Sequence, residues 1–276
     1  MYDYVYMEPR QPLFVTGSES YQKFVLNRYG IVHFYRCNTC SQPRLAIPDG
    51  CVDMVFCCDK VEPEAHICGT VLKPEQVLTR AHTYYFGVRF MPGYNPVLGQ
   101  ADVMEYLVGA RIPFETLVHD ERMLEGIWNA DHFYTQIKTF MNSYMKIYRR
   151  ISPFENGNLL VTHSLNRMFE SGGIIRLEQL AEETGYSERY LNKCFHKETG
   201  LSPKQFAKII RFQKSVTALN EFGEISLTEI AANAGYFDQA HFVHDFKAYT
   251  GLTPKRYRKC LNENEFYEKL KIVYFE

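Results

Sequence analysis

The sequence predicts an α+β protein in two parts. Residues 1–151 read as a β-barrel or sandwich with added helices. Residues 152–276 read as an all-α domain of two helix-turn-helix units joined by a linker helix. Three observations predict this. Short runs rich in Val, Ile, Phe and Tyr, broken by turn residues, fill the chain as far as Gly93. From about Gln100 the apolar period lengthens to that of helices. Beyond Ser152 the chain duplicates a pattern of short helix, glycine turn and second helix. A length of 276 residues lets each part bury its own core, and a hydrophobic content of 46% is that of a globular protein.

At the N-terminus, MYDYVYMEPRQP lacks the basic and apolar regions of a secretory leader, and no run approaches the ~18 apolar residues of a membrane span. The expectation is a cytoplasmic protein without a membrane partner, whose cysteines are thiols. The strand candidates are FVLNRYGIVHFYRC, RLAIPDGCVDMVFC, EAHICGTV and VLTRAHTYYFGVRFMPG. Turns at Arg28-Tyr29-Gly30, Pro48-Asp49-Gly50 and Pro92-Gly93-Tyr94 punctuate them. Two helices are expected between Gln100 and Arg150. In the second, Ile127, Ala130, Tyr134, Ile137, Met141, Tyr144 and Tyr148 fall at a/d spacing, a stripe able to pair with its own copy in a homodimer. Trp128, Phe133 and Phe140 widen that face, as packing on the protein's own sheet would require. Spacing leaves both readings open.

After Ser152 the chain reads as helices only, separated by Gly173, Gly185, Gly200, Gly223, Gly235 and Gly251. Ser202-Pro203-Lys204-Gln205 places Ser at an N-cap, Pro at the first helical position and Gln at the third. Thr253-Pro254 repeats the first two features, and Ser226-Leu227-Thr228-Glu229 is a capping box. The duplication is visible residue by residue. Leu177, Leu180, Ala181, Gly185 and Tyr186 align with Leu227, Ile230, Ala231, Gly235 and Tyr236. Past the turn the register shifts by one residue, and Phe195, Gly200, Leu201 and Pro203 align with Phe246, Gly251, Leu252 and Pro254. Leu191 with Phe195, and Phe242 with Phe246, set the inner face of each second helix, so the polar residues between them face outward. Two copies are too few for a stacked helical array.

The run from about Leu159 to Lys259 resembles the DNA-binding domain of the AraC/XylS transcription regulators. GYFDQAHFVHDFKAYTGLTPKRYR follows that family's C-terminal signature almost position by position. The resemblance implies a bacterial, sequence-specific DNA-binding regulator with helix-turn-helix units at about 174–200 and 225–251. The second helix of each unit would enter one of two successive major-groove segments. It implies base contacts from Arg189, Asn192 and Lys193 in the first unit and from Gln239, Ala240, His241 and His244 in the second. Arg and Lys match guanine, and Asn matches adenine. His244 stands where family members commonly carry Arg, so the second unit is expected to contribute less base-specific energy. Lys204, Lys255 and Arg256 are the candidate phosphate contacts, beside helix N-termini that add backbone donors. The expected partners are double-stranded promoter DNA, RNA polymerase if the output is activation, and a small-molecule effector.

RLAIPDGCVDMVFC with FGVRFMPG also resembles N-terminal sensing domains of some AraC-like regulators, which implies a cupin-like barrel with an effector pocket. Cys51, Asp53 and Val55 share one strand face, and Tyr85, Gly87 and Arg89 share another. Asp53, Tyr85 and Arg89 are therefore the candidate ligand-binding residues. A buried Asp53–Arg89 ion pair holding two strands in register explains the same alternation. Six of the 8 cysteines lie between Cys37 and Cys68, and Cys37 and Cys40 have CxxC spacing without a second pair at zinc-ribbon distance. A thiol- or metal-responsive regulator is the alternative function, and buried apolar cysteines are the plain one. No HxH pair, GxSxG, P-loop or GxGxxG motif occurs, so neither a cupin-type enzyme nor a resident cofactor is expected.

The net charge of -1, from 31 basic and 32 acidic residues, argues on its face against a nucleic-acid partner. Its placement argues the reverse. Ser187 to Lys214 and Lys247 to Lys259 are basic blocks, whereas Ser215 to Phe246 holds acids and no Lys or Arg. The basic blocks flank the elements expected to enter the grooves.

Overall fold

A computed structural model describes residues 8–39, 44–77, 79–100, 102–150, 159–221, 225–261 and 263–274. The boundary expected at residues 151 and 152 lies outside the described residues. The chain opens with α1 (Pro12–Thr16), β1 (Ser18–Arg28), β2 (Ile31–Thr39), β3 (Arg44–Ala46), β4 (Asp53–Cys57), β5 (Glu64–Cys68), β6 (Glu75–Val77) and β7 (Tyr84–Phe90). It continues with α2 (Met104–Leu107), β8 (Arg111–Pro113), α3 (Phe114–Leu117), α4 (Glu121–Trp128) and α5 (Phe133–Tyr148). The helical part follows as α6 (Leu159–Glu170), α7 (Leu177–Thr184), α8 (Glu188–Thr199) and α9 (Pro203–Glu221). Last come α10 (Leu227–Asn233), α11 (Gln239–Thr250), α12 (Pro254–Cys260), α13 (Glu263–Lys269) and β9 (Leu270–Ile272).

A seven-stranded sheet in the order β8-β5-β4-β7-β2-β1-β9 and a two-stranded sheet of β3 and β6 make up the N-terminal part. The period-2 alternation of the strands divides the large sheet into two faces. One face carries Phe34, Met54, Phe56, Phe86, Val88 and Phe90, all buried against α4 and α5. The other carries Tyr35, Cys37, Cys57 and Tyr85 and points toward α1 and the β3–β6 pair. Gly87 lacks a side chain because the Tyr35 ring crosses it; an added Cβ would lie 2.0 Å from that ring.

Two details differ from the sequence reading. Three short helices, β8 and the 16-residue α5 replace the two helices expected between Gln100 and Arg150. The a/d stripe is interrupted at Asn129, where α4 ends, and restarts in α5. Of the stripe, Ile127, Ile137 and Tyr144 are buried with Phe140 in the core under the large sheet, so these positions pack within the chain, whereas Tyr134 is 49% exposed. The second correction concerns the C-terminus, which is not helical throughout. β9 pairs in parallel with β1, through Tyr21 opposite Leu270 and Lys23 opposite Ile272, and so covers an exposed sheet edge.

The helical part has two cores. Leu180, Leu191, Phe195, Phe206 and Ile210 form one, around α6 to α9. Phe212, Val216, Ile230, Phe242, Phe246 and Tyr257 form the other, around α9 to α12. The 19-residue α9 thus contributes opposite ends of its length to both. Its start is fixed as the sequence predicts: Gln205 N–H donates to Ser202 Oγ at 3.3 Å, and Ser202 N–H to Gln205 Oε1 at 3.0 Å.

Candidate functional site

Each second helix of the duplicated unit is amphipathic for a reason visible in its own sequence. In α8, Leu191 and Phe195 are buried while Arg189 and Lys193 are exposed. Ser187 caps the helix by accepting from Tyr190 N–H. Asn192 is half-buried, and its side-chain amide donates to Glu188 O at 3.0 Å. In α11, Phe242 and Phe246 are buried, and Gln239, Ala240, His241 and His244 are exposed. Asp238 caps this helix by accepting from His241 N–H at 2.7 Å. Lys204 lies in the first turn of α9, and Lys255 and Arg256 in the first turn of α12, all exposed. Six of the seven candidate base-reading residues are therefore exposed on the two outward helix faces, and Asn192 is turned back onto its own helix.

The faces differ chemically. Asp245 is buried on α11 and stands 3.5 Å from both His241 Nε2 and His244 Nδ1. Both imidazoles therefore face a carboxylate, whereas no acidic side chain contacts Arg189 or Lys193 among the described residues. Sequence reasoning missed two aromatic features beside these helices. Phe237, in the turn before α11, is 92% exposed, and Tyr186 and Tyr190 stack at 5.2 Å on the surface of the first unit. An aromatic at each turn of the repeat was the available signal.

A second site lies between the two sheets. A cavity of about 250 Å³ is lined by strands of both, by Gln11 and Phe14, and by the Pro48-Asp49-Gly50 turn region. Asp53, Tyr85 and Arg89 all line it. The structure also contains the ion pair that strand alternation allows. Asp53 and Arg89 are cross-strand partners, and Arg89 Nε and Nη2 donate to the two Asp53 oxygens at 3.0 and 2.6 Å. Arg89 Nη1 donates to Asp49 at 2.9 Å. Burial raises the Asp53 carboxyl, with Arg89 pulling it back, while Asp53 and Asp49 overcome burial to hold the Arg89 guanidinium charged.

The cavity touches the helical part through short links. Pro48 O accepts from Gln213 Nε2 of α9 at 2.7 Å, and Gln213 Oε1 accepts from Arg10 N–H at 2.8 Å. Ile47 packs with Phe212 and Val216. On the other side, Gly109 to Arg111 line the cavity directly after α2, and α2 meets the end of α8. There His196 Nδ1 lies 2.9 Å from Glu105, and Lys197 lies 3.1 Å from Asp102. Gly200 ends α8 at a positive φ of 72°, and a Cβ there would meet Met104 O at 2.5 Å.

The cysteines are dispersed. Among the described residues no group of three or more His, Cys, Asp or Glu is placed to hold a metal ion, and Cys40 lies outside the described residues. Burial pushes the Cys37 and Cys51 thiols up, the Cys58 thiol to about 11 and the Cys68 thiol to about 12. Such thiols are poor nucleophiles and poor redox sensors at neutral pH.

Residues 180–260 match the family described as "Helix-turn-helix domain", and residues 27–108 match a domain of unknown function, DUF6597. Over residues 180–260 the chain is an AraC-type helix-turn-helix domain. Among curated relatives it is similar to the Msm operon regulatory protein of Streptococcus mutans, 33% identical over 93 residues, which are 34% of this chain and 33% of that one. An uncharacterized HTH-type transcriptional regulator of Haemophilus influenzae is 35% identical over 86 residues, 31% of this chain and 28% of that one. The chain thus spans a third or less of the length of these relatives. Among solved structures, ToxT from Vibrio cholerae is 13% identical over 88% of this chain and 99% of that chain, with a TM-score of 0.43. The C-terminal domain of AraT from Geobacillus stearothermophilus is 28% identical over 40% of this chain and 88% of that chain, with a TM-score of 0.35. No helix among the described residues is long and apolar enough to cross a membrane.

Proposed function

We propose that the protein is a sequence-specific, double-stranded-DNA-binding transcription regulator rather than an enzyme, with α8 and α11 reading two successive major-groove segments. The observation that carries this is the duplicated helix face: buried Leu191 and Phe195 oppose exposed Arg189 and Lys193, and buried Phe242 and Phe246 oppose exposed Gln239 and His244. Arg189, Asn192, Lys193, Gln239, Ala240, His241 and His244 face bases, and Lys204, Lys255 and Arg256 face phosphates. Residues 152–276 form the DNA-binding domain. Residues 1–151 form the effector-sensing domain and, where the regulator is dimeric, the interface with a second copy; RNA polymerase is the further partner if the output is activation.

The cavity holds the effector, with Asp53, Tyr85 and Arg89 in its walls. Its occupancy biases the helical part through Gln213 and through the α2–α8 contact, because both are attached to cavity-lining segments. A ligand shifts the equilibrium only by its differential affinity for the two arrangements. Selecting duplexes from a random library and titrating the winner against salt tests the DNA reading. The expected result is an enriched motif and an affinity that falls steeply with salt. Retention of no duplex at low salt overturns it.

A further inference from the structure

Three arginines line the cavity; Arg111 is exposed, and the other two, Arg89 and Arg44, are satisfied differently. Arg89 is closed on itself by Asp53 and Asp49. Arg44, at the start of β3, is 1% exposed, and no carboxylate pairs with it among the described residues. Its guanidinium face lies 4.7 Å from the Phe14 ring centre and 5.6 Å from that of Tyr85. Nη1 donates to Cys37 Sγ at 3.4 Å. Nε and Nη2 are buried without a hydrogen-bond partner.

That combination is costly. An arginine cannot shed its proton to escape burial as a lysine can. Aromatic contact stabilises the face of the guanidinium but leaves its in-plane N–H groups unmade. The vacant pair, Nε with Nη2, is the edge that binds a carboxylate through two parallel hydrogen bonds. The same cavity displays that contact elsewhere in its wall: the Nε–Nη2 edge of Arg89 holds the two oxygens of Asp53.

Building on the reading of the cavity as the effector site, we infer that its ligand is a small monocarboxylate with an apolar or aromatic body, held by the Nε–Nη2 edge of Arg44. Phe14, Tyr35, Val55 and Val77 supply apolar wall for the body. Asp49, Asp53 and Glu75 also line the cavity and disfavour a more highly charged anion. A volume of about 250 Å³ sits below the usual ~300–1,000 Å³ of small-molecule pockets and sets the size of the ligand as small.

The test titrates the full chain calorimetrically with acetate, butyrate, hexanoate and benzoate, each against its uncharged amide. The expected result is that at least one acid binds about tenfold or more tightly than its amide, as a charged hydrogen-bonded pair requires. Arg44→Met, with its fold checked by circular dichroism, then removes the preference; the wild-type comparison stands if that variant does not fold. Amides that bind as tightly as acids overturn the carboxylate assignment while leaving the effector cavity in place. A preference for acid that survives in Arg44→Met overturns the role of Arg44. Binding of no probe at about 10 mM overturns the carboxylate assignment, and duplex binding measured alongside reports on the DNA reading alone.

Discussion

The two helix-turn-helix units share an interior and differ at the surface. Leu180, Leu191 and Phe195 occupy in the first unit the places of Ile230, Phe242 and Phe246 in the second, all buried. Outward, the first presents Arg189 and Lys193 with no acid in contact among the described residues, while the second presents two histidines beside Asp245. The first is tied to the N-terminal part at the end of its second helix, through His196–Glu105 and Lys197–Asp102, and the second through Ile47, which packs in its core. Duplication has thus kept what folds the unit and let go of what it says to a partner. Base-specific energy should concentrate in the first unit.

The largest effect tests the shared interior. Phe195→Ala and Phe246→Ala each remove a ring that is 1% or less exposed, and each should cost about 3–5 kcal/mol in denaturant unfolding. A much smaller cost for Phe246→Ala would show the second unit to be loosely packed. The next effect breaks the surface comparison: Arg189→Ala should cost about 1–3 kcal/mol on the selected duplex and relax preference in one half of it. An unchanged preference removes Arg189 from the readout. His244→Arg should instead strengthen binding and steepen the log–log salt dependence by about one unit, because it adds a charge where the second unit has none. Lys204→Ala is the mildest. It should flatten that slope by about one unit and weaken all sequences alike. A sequence-dependent loss would move Lys204 from phosphate to base contact.

Much of this was legible in the sequence because it repeats at fixed periods. Helical spacing and caps at Ser202, Ser226 and Thr253 marked the units, and alternation by two singled out Asp53 on one strand and Arg89 on another, which the pairing of β4 with β7 brings together. What was missed depends on contacts distant along the chain. Arg44 begins a three-residue strand, and its surroundings come from Phe14 in α1 and Tyr85 in β7, so no local pattern marks it. β9 is equally short and exists because the β1 edge offers it backbone partners. The a/d stripe left two readings open for the opposite reason: its period runs on across the break between α4 and α5, since both helices bury the same kind of face under one sheet.

The claim that the two outward helix faces act together on DNA is tested most directly by dimethyl sulfate protection of guanine N7, which lies in the major groove, on the selected duplex. The account predicts two protected major-groove segments about one helical turn, ~10 bp, apart for each protomer, with protection beside the second segment lost first as salt rises. Protection of a single segment, unaffected by substitutions in α11, would contradict it.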